Sequence, residues 1–267
     1  MKTCSIAAIQ LCATNDIDAN LSDARKWIEC AVEQGAKIIG LPENFSFLGA
    51  EREKLERVNE IHERSESFLL EVARDLGVVL LGGGYAVTDG AGKAYNRAAM
   101  VGADGILAQY DKMHLFDVDL PDRTYRESMG TRAGDEVITW DGGELGVHGL
   151  TICYDLRFPE LYRALAVDGA EILWVPAAFT VPTGKAHWEL LLRARAIENT
   201  CYLVAPAQVG EHGSRRESYG HALIVDPWGE VLEDAGGVKP GVIVAQVCAD
   251  RLAEVRGQIP SLRHRRL

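Results

Sequence analysis

Three side chains suited to acyl transfer sit where apolar runs of this sequence give way to loops. Glu43 follows Leu41-Pro42, Lys112 lies in Tyr110-Asp111-Lys112-Met113-His114, and Cys153 closes the run Thr151-Ile152-Cys153. A thiol can attack a carbonyl, a carboxylate can take the thiol's proton, and an ammonium can hold the oxyanion that results. Strand ends are a common address for such groups in α/β proteins. Cys153 has the strongest case by itself. A helix is expected from Pro159 or Glu160, Arg157 stands close behind, and a helix N-terminus and a cation both favour the thiolate. Taken singly, Glu43 reads more readily as a helix cap or solvated carboxylate, Lys112 as an exposed charge and Cys153 as core, and none alone carries a function.

The elements that must position these residues follow from periodicity. Cys4–Leu11 reads as a buried strand, and Leu21, Ala24, Trp27, Ile28, Ala31 and Val32 then fall at helical spacing. Lys37–Leu41 is a second strand, a helix is expected across Glu51–Leu76, and Val78–Gly83 is a third strand. Tyr85–Val87, Ala94–Val101 and Ile106–Tyr110 read as strands joined at Asp89-Gly90 and Asp104-Gly105. In the second half, strands are expected at Gly146–Cys153, Glu171–Pro176, Cys201–Ala207 and Gly241–Val247. Helices are expected at Pro159–Asp168 and His187–Asn199, and a hairpin turns at Asp226-Pro227-Trp228-Gly229. Early β-α-β units followed by hairpins imply an α/β fold with mixed sheets, and near-continuous apolar strands imply burial on both faces. The glycine run Gly82-Gly83-Gly84 lacks phosphate-loop spacing and reads as close packing at a strand end.

Composition narrows the function. The chain has 267 residues and a net charge of −11, with no linker-like segment, so one domain over 1–267 is expected and nucleic acid is not an expected partner. Six cysteines without a CxxC pair argue against a disulfide framework or a structural zinc site. The seven histidines show neither HxH nor HExxH spacing, so no metal is expected. With no transmembrane-length apolar stretch and no cleavage-site pattern, the expected location is the cytoplasm.

The segments LPENF, YDKMHLFDVD and ICYDLRFPELYR resemble the three signature blocks of the nitrilase superfamily, the carbon–nitrogen hydrolases, and occur in that family's order. Ala186–Gln208 and Ser218–Leu232 match as well, so the resemblance spans nearly the whole chain. It implies a four-layer α-β-β-α sandwich, with two sheets face to face between helices, and a homodimer or higher homo-oligomer. It also implies a Glu43–Lys112–Cys153 triad: Glu43 as general base, Lys112 beside the oxyanion and Cys153 as nucleophile. Glu127 corresponds to a second glutamate that positions substrate and Lys112. The late segments look most like the deaminated glutathione amidase branch, with the ω-amidase branch a close neighbour.

The expected reaction is hydrolysis of the carboxamide of deaminated glutathione with release of ammonia, through a Cys153 thioester and without any cofactor. α-Ketoglutaramate and N-carbamoyl amino acids are the alternative substrates. Tyr154, Arg157, Phe179, His187, Arg215 and Arg216 are the expected substrate-binding residues, with Tyr85 and Lys185 as further candidates. Rival readings are a Cys–His hydrolase using His114, His148 or His187, a metalloenzyme and a non-catalytic scaffold.

Overall fold

The computed structural model describes residues 1–120, 124–213 and 216–266. The first half contributes β1 (Cys4–Leu11), β2 (Ile38–Gly40), β3 (Val79–Thr88), β4 (Ala94–Gly102) and β5 (Gly105–Asp111). Short strands β6 (Asp117–Asp119), β7 (Thr124–Arg126) and β8 (Thr131–Arg132) follow. The second half contributes β9 (Thr139–Asp141), β10 (Val147–Leu150), β11 (Ile172–Trp174), β12 (Tyr202–Ala205) and β13 (Ala207–Glu211). It ends with β14 (Glu217–Tyr219), β15 (Leu223–Val225), β16 (Val231–Asp234) and β17 (Gly241–Val247). The helices are α1 (Ile17–Glu33), α2 (Glu51–Glu56), α3 (Val58–Leu76), α4 (Pro159–Val167), α5 (Val181–Asn199) and α6 (Ala249–Gln258).

One sheet runs in the order β14-β13-β1-β2-β3-β4-β5, and the other in the order β16-β15-β12-β11-β10-β9. The two-residue period of each strand assigns its side chains to opposite layers. Ile6, Ala8 and Ile38 pack with Leu150 and Trp174 of the second sheet, whereas Ala7, Ile9 and Ile39 pack with Ile28 of α1 and Leu69 of α3. On the second sheet, a Cβ at Gly149 would meet Leu165 of α4 at 3.1 Å, and on the first sheet a Cβ at Gly40 would meet Trp174 of the second at 2.4 Å. Helices, sheet, sheet and helices therefore form four layers, the α-β-β-α sandwich. Burial on both faces is why the strands read as unbroken apolar runs.

Four expected boundaries shift, each for a local reason. The helix expected over Glu51–Leu76 is two helices that break at Arg57 (φ −105°, ψ 11°). The strands around the glycine run are one strand, β3, whose register slips between Gly83 and Tyr85. The helix expected from His187 begins at Val181, with Pro182 in its first turn where a missing N–H costs nothing. The run Cys201–Ala207 is two strands, because Pro206 cannot donate to a ladder. β12 lies in the second sheet beside β11, and β13 lies in the first sheet beside β1, so the chain crosses between sheets at that proline.

His148 of β10 is fully buried and accepts a hydrogen bond from Trp174 Nε1 at its Nδ1 (2.9 Å). Burial lowers its pKa from 6.5 to about 4. The unfolded chain therefore binds a proton at higher pH than the folded one. This group's stability is complete above pH 6.5, falls as pH drops toward 4, and amounts to about 3 kcal/mol. Urea unfolding near neutrality and in mild acid should show this loss, and His148→Gln, which keeps an acceptor for Trp174, should show a shallower one. An equally steep loss in the variant would place the acid sensitivity elsewhere.

Candidate active site

Glu43 lies three residues past the end of β2, and its loop is pressed directly onto β3. A Cβ at Gly83 would stand 1.8 Å from the Leu41 carbonyl oxygen, so only glycine admits the loop there. Gly84 (φ +127°) forms the bulge and accepts a hydrogen bond from the Asn44 N–H at 2.7 Å. From β13 of the same sheet, Gln208 Nε2 donates to the Glu43 carbonyl at 3.0 Å. Lys112 follows β5, and its N–H continues the ladder to the Asn96 carbonyl at 2.9 Å.

Cys153 does not end a strand as its sequence suggested. β10 stops at Leu150, and Cys153 opens a 3₁₀ turn, Cys153–Arg157, with φ +50°. That left-handed backbone is held by the Cys153 N–H donating to the Pro176 carbonyl at 2.9 Å. Asp155 braces the turn from beneath. Fully buried, it accepts from the Ile152 N–H (2.8 Å), the Tyr110 hydroxyl (2.7 Å) and the His114 N–H (3.0 Å), and its Oδ1 lies 2.7 Å from His114 Nδ1. One carboxylate thus ties the Lys112 loop to the Cys153 turn.

These elements bring Glu43, Lys112, Glu127 and Cys153 to one place. Lys112 Nζ donates to Glu43 Oε1 at 2.9 Å and to both Glu127 oxygens at 3.1 and 2.9 Å. Asn96 Nδ2 also reaches Glu43 Oε1 at 2.9 Å, and the Ala178 N–H donates to Glu43 Oε2 at 3.0 Å. Glu127 is held by the Phe116 N–H at 2.7 Å. Glu43 is 3% exposed, Lys112 2% and Cys153 7%, so their charges act on one another with little water between.

The resting charge state follows. Burial pushes the Cys153 thiol well above its ordinary pKa, the neighbouring Glu43 carboxylate adds to this, and Lys112 opposes both without prevailing. Burial also acts to raise Glu43, but Lys112, then Arg216, outweigh it and hold the carboxyl below its usual value. Burial acts against the Lys112 charge, and Glu127 and Glu43 more than compensate, keeping the ammonium well above its ordinary value. The site rests as neutral thiol, ionised carboxylate and ammonium. The sequence suggested a thiol lowered by Arg157 and the following helix. The structure shows the reverse, because burial and an adjacent anion dominate.

A cavity of about 300 Å³ opens onto these groups. Of the expected substrate-binding residues, Tyr154, Phe179 and Arg216 line it. Arg157 and His187 do not. They face each other at 3.4 Å, with the Arg157 guanidinium over the rings of Tyr154 and Phe179. Arg215 lies outside the described residues. Tyr85 is core, donating its hydroxyl to Glu66 at 3.0 Å, and Lys185 is exposed. Sequence reasoning missed Lys54 of α2, Arg126 of β7, and Thr180 and Thr183 at the start of α5, all of which line the cavity. It also missed Asn96 and Asp155. A signal existed for Asn96, which shares a strand face with buried Ala98 and Met100, where a polar residue needs a reason. Among the described residues, no group of three or more His, Cys, Asp or Glu could hold a metal ion, and no helix is long and apolar enough to cross a membrane.

Comparison with known proteins bears on what such a site does. Residues 5–257 match the carbon–nitrogen hydrolase family model. The chain is 51% identical to a deaminated glutathione amidase of Synechocystis sp. over 99% of each chain. It is 39% identical to Omega-amidase NIT2 of Homo sapiens over 100% of this chain and 96% of the relative. The fold matches Saccharomyces cerevisiae Nit3, a member of branch 10 of the nitrilase superfamily, with a TM-score of 0.88 at 29% identity, over 100% of this chain and 97% of that one. With its full-length match to amide-cleaving relatives, this chain belongs to the carbon–nitrogen hydrolase family, within the nitrilase superfamily.

Proposed function

We propose that this protein is a cysteine amidase acting on an anionic keto-acid amide, with deaminated glutathione as its preferred substrate. The observation that carries the chemistry is Cys153 beside ionised Glu43 and Lys112 at the floor of one cavity. Glu43 takes the thiol proton as sulfur bonds to the amide carbon. Because the resting thiol is held protonated, this transfer accompanies attack and no stored thiolate precedes it. The oxyanion forms against Lys112 and the backbone N–H of Tyr154. Glu43 then passes its proton to the departing nitrogen as the C–N bond breaks, leaving a Cys153 thioester. Water, deprotonated by Glu43, attacks the thioester, and Glu43 returns the proton to sulfur. A primary carboxamide such as α-ketoglutaramate releases ammonia. The γ-amide of deaminated glutathione joins the keto acid to a cysteinyl residue, so there the departing group is that residue's amine.

The anionic substrate is supported by the cavity wall. Lys54, Arg126 and Arg216 line it in a protein of net charge −11, and Arg216 Nε is buried without a hydrogen-bond partner among the described residues. A carboxylate would satisfy that nitrogen. The test is a panel of deaminated glutathione, α-ketoglutaramate, an N-carbamoyl amino acid and a simple nitrile. Deaminated glutathione should give the highest kcat/KM, and Arg216→Ala should lower it at least about tenfold more than it lowers that for a neutral amide. A clear preference for α-ketoglutaramate would replace this reading with ω-amidase activity.

Both sheets supply groups to the one cavity, which supports a single domain over 1–267. We also infer a homodimer, joined through the outer face of α5. Leu190 (71% exposed), Ile197 and Trp228 form an apolar surface there. Sedimentation velocity should find a dimer that Leu190→Glu dissociates, and a wild-type monomer would refute it. Six free thiols fit a reducing cytoplasm, which cell fractionation can check.

A further inference from the structure

We propose that Asn96 is a positioning residue for the proton transfer: its amide fixes Glu43 Oε1 and leaves Oε2 as the oxygen that exchanges the proton with Cys153. Glu43 Oε1 accepts from Lys112 Nζ and from Asn96 Nδ2, both at 2.9 Å, which occupies its two lone pairs. Oε2 accepts only from the Ala178 N–H, at 3.0 Å, among the described backbone and amine donors, so one lone pair there is open to the thiol. Asn96 Nδ2 also lies 3.5 Å from Glu127 Oε1, so a single amide spans both carboxylates of the site. Its main chain acts in the same direction, because the Asn96 carbonyl receives the Lys112 N–H at 2.9 Å.

The residue is 8% exposed and lines the cavity. Its Oδ1 has no partner among the described residues and rests over the bulge at Gly84, where a Cβ would come within 2.8 Å. An unsatisfied buried carbonyl is unfavourable. The side chain is therefore placed by its donor end, toward the carboxylates, and not by local stability. The charged and titratable groups facing Glu43 are Lys112 after β5, Glu127 after β7, Cys153 on its turn and Arg216 before β14. Removing a neutral donor from this set raises the proton affinity of Glu43, and the base must be ionised to act.

The proposal rests on Glu43 as the base and not on the identity of the substrate. Its test therefore has an arm that needs no substrate. In the intact chain, Cys153 is alkylated with iodoacetamide from about pH 3.5 to about pH 9, so that the wild-type acid limb falls inside the range, and its modification is followed by peptide mass mapping. In Asn96→Ala the acid limb of the rate profile should move up by about one unit or more, and in Asn96→Asp further still. With whichever amide the panel finds turned over, Asn96→Ala should lose about tenfold to hundredfold in kcat with KM within about twofold. Asn96→Ser, which keeps a short donor, should restore part of the profile and stands in if the alanine variant fails to fold. Superimposable alkylation profiles in folded variants, with only melting temperature changed, would overturn the proposal. If no amide in the panel is cleaved, the substrate reading fails while the alkylation arm still decides the role of Asn96.

Discussion

Glu43→Gln should abolish turnover before a thioester forms. A single general base contributes about a hundredfold to ten-thousandfold, and this carboxylate is needed for thiol attack, for nitrogen departure and for water attack. The loss in kcat should therefore lie at or above about ten-thousandfold. Glutamine matches the shape but not the hydrogen-bond pattern. Oε1 receives Lys112 and Asn96, and Oε2 receives the Ala178 N–H, so either orientation of the new amide sets N–H against N–H. Intact mass after mixing with substrate should show unmodified protein throughout. A stoichiometric acyl adduct on Cys153, formed at the wild-type rate and then persisting, would show that Glu43 serves hydrolysis of the thioester alone.

Lys112→Met should cost both activity and stability, with a pH dependence opposite to that of the wild type. The ammonium is the counter-ion of two carboxylates at once, and removing one partner of a buried ion pair costs about 3–5 kcal/mol. In the wild type, the Glu43 pKa lies below its ordinary 4.5. Its contribution is complete above that value and is lost as pH falls through the folded pKa. Without Lys112, burial is the largest influence left on Glu43 and should push its pKa upward. The folded variant then binds the proton first and gains stability as pH drops from neutrality. Urea midpoints near pH 7 and near pH 5 should therefore converge with those of the wild type in acid. A variant as stable as wild type at neutrality would show that Lys112 is not the counter-ion. Loss of the oxyanion contact should also lower kcat by about a hundredfold to a thousandfold.

What the sequence disclosed follows the range of each signal. β1 and α1 were legible because their periodicities are local and their faces are uniformly apolar. Cys153 could be suspected from its strand-to-helix setting, but its charge state could not. The Glu43 carboxylate that helps hold the thiol protonated arrives from more than a hundred residues away and from the other sheet. Glu127 carries no local mark; its partners Lys112 and Phe116 come from the preceding strand and loop, and only the shared motifs pointed to it. Lys54 and Arg126 line the cavity from a six-residue helix and a three-residue strand, whose patterns say nothing of the side chains across the gap. Arg157 and Arg216 read alike in the sequence. The fold turned one toward His187 and the other into the site.

The crossing at Pro206 has a consequence for how the chain is made. β1 emerges from the ribosome about 200 residues ahead of its partners along one edge, β13 and β17, which lie within residues 207–247. During most of synthesis this apolar strand presents an open edge to the crowded cell. Because the segment around Pro206 stitches both sheets together late, neither half can close beforehand. Fragments cut anywhere between β5 and β13 should be insoluble until the missing piece is supplied.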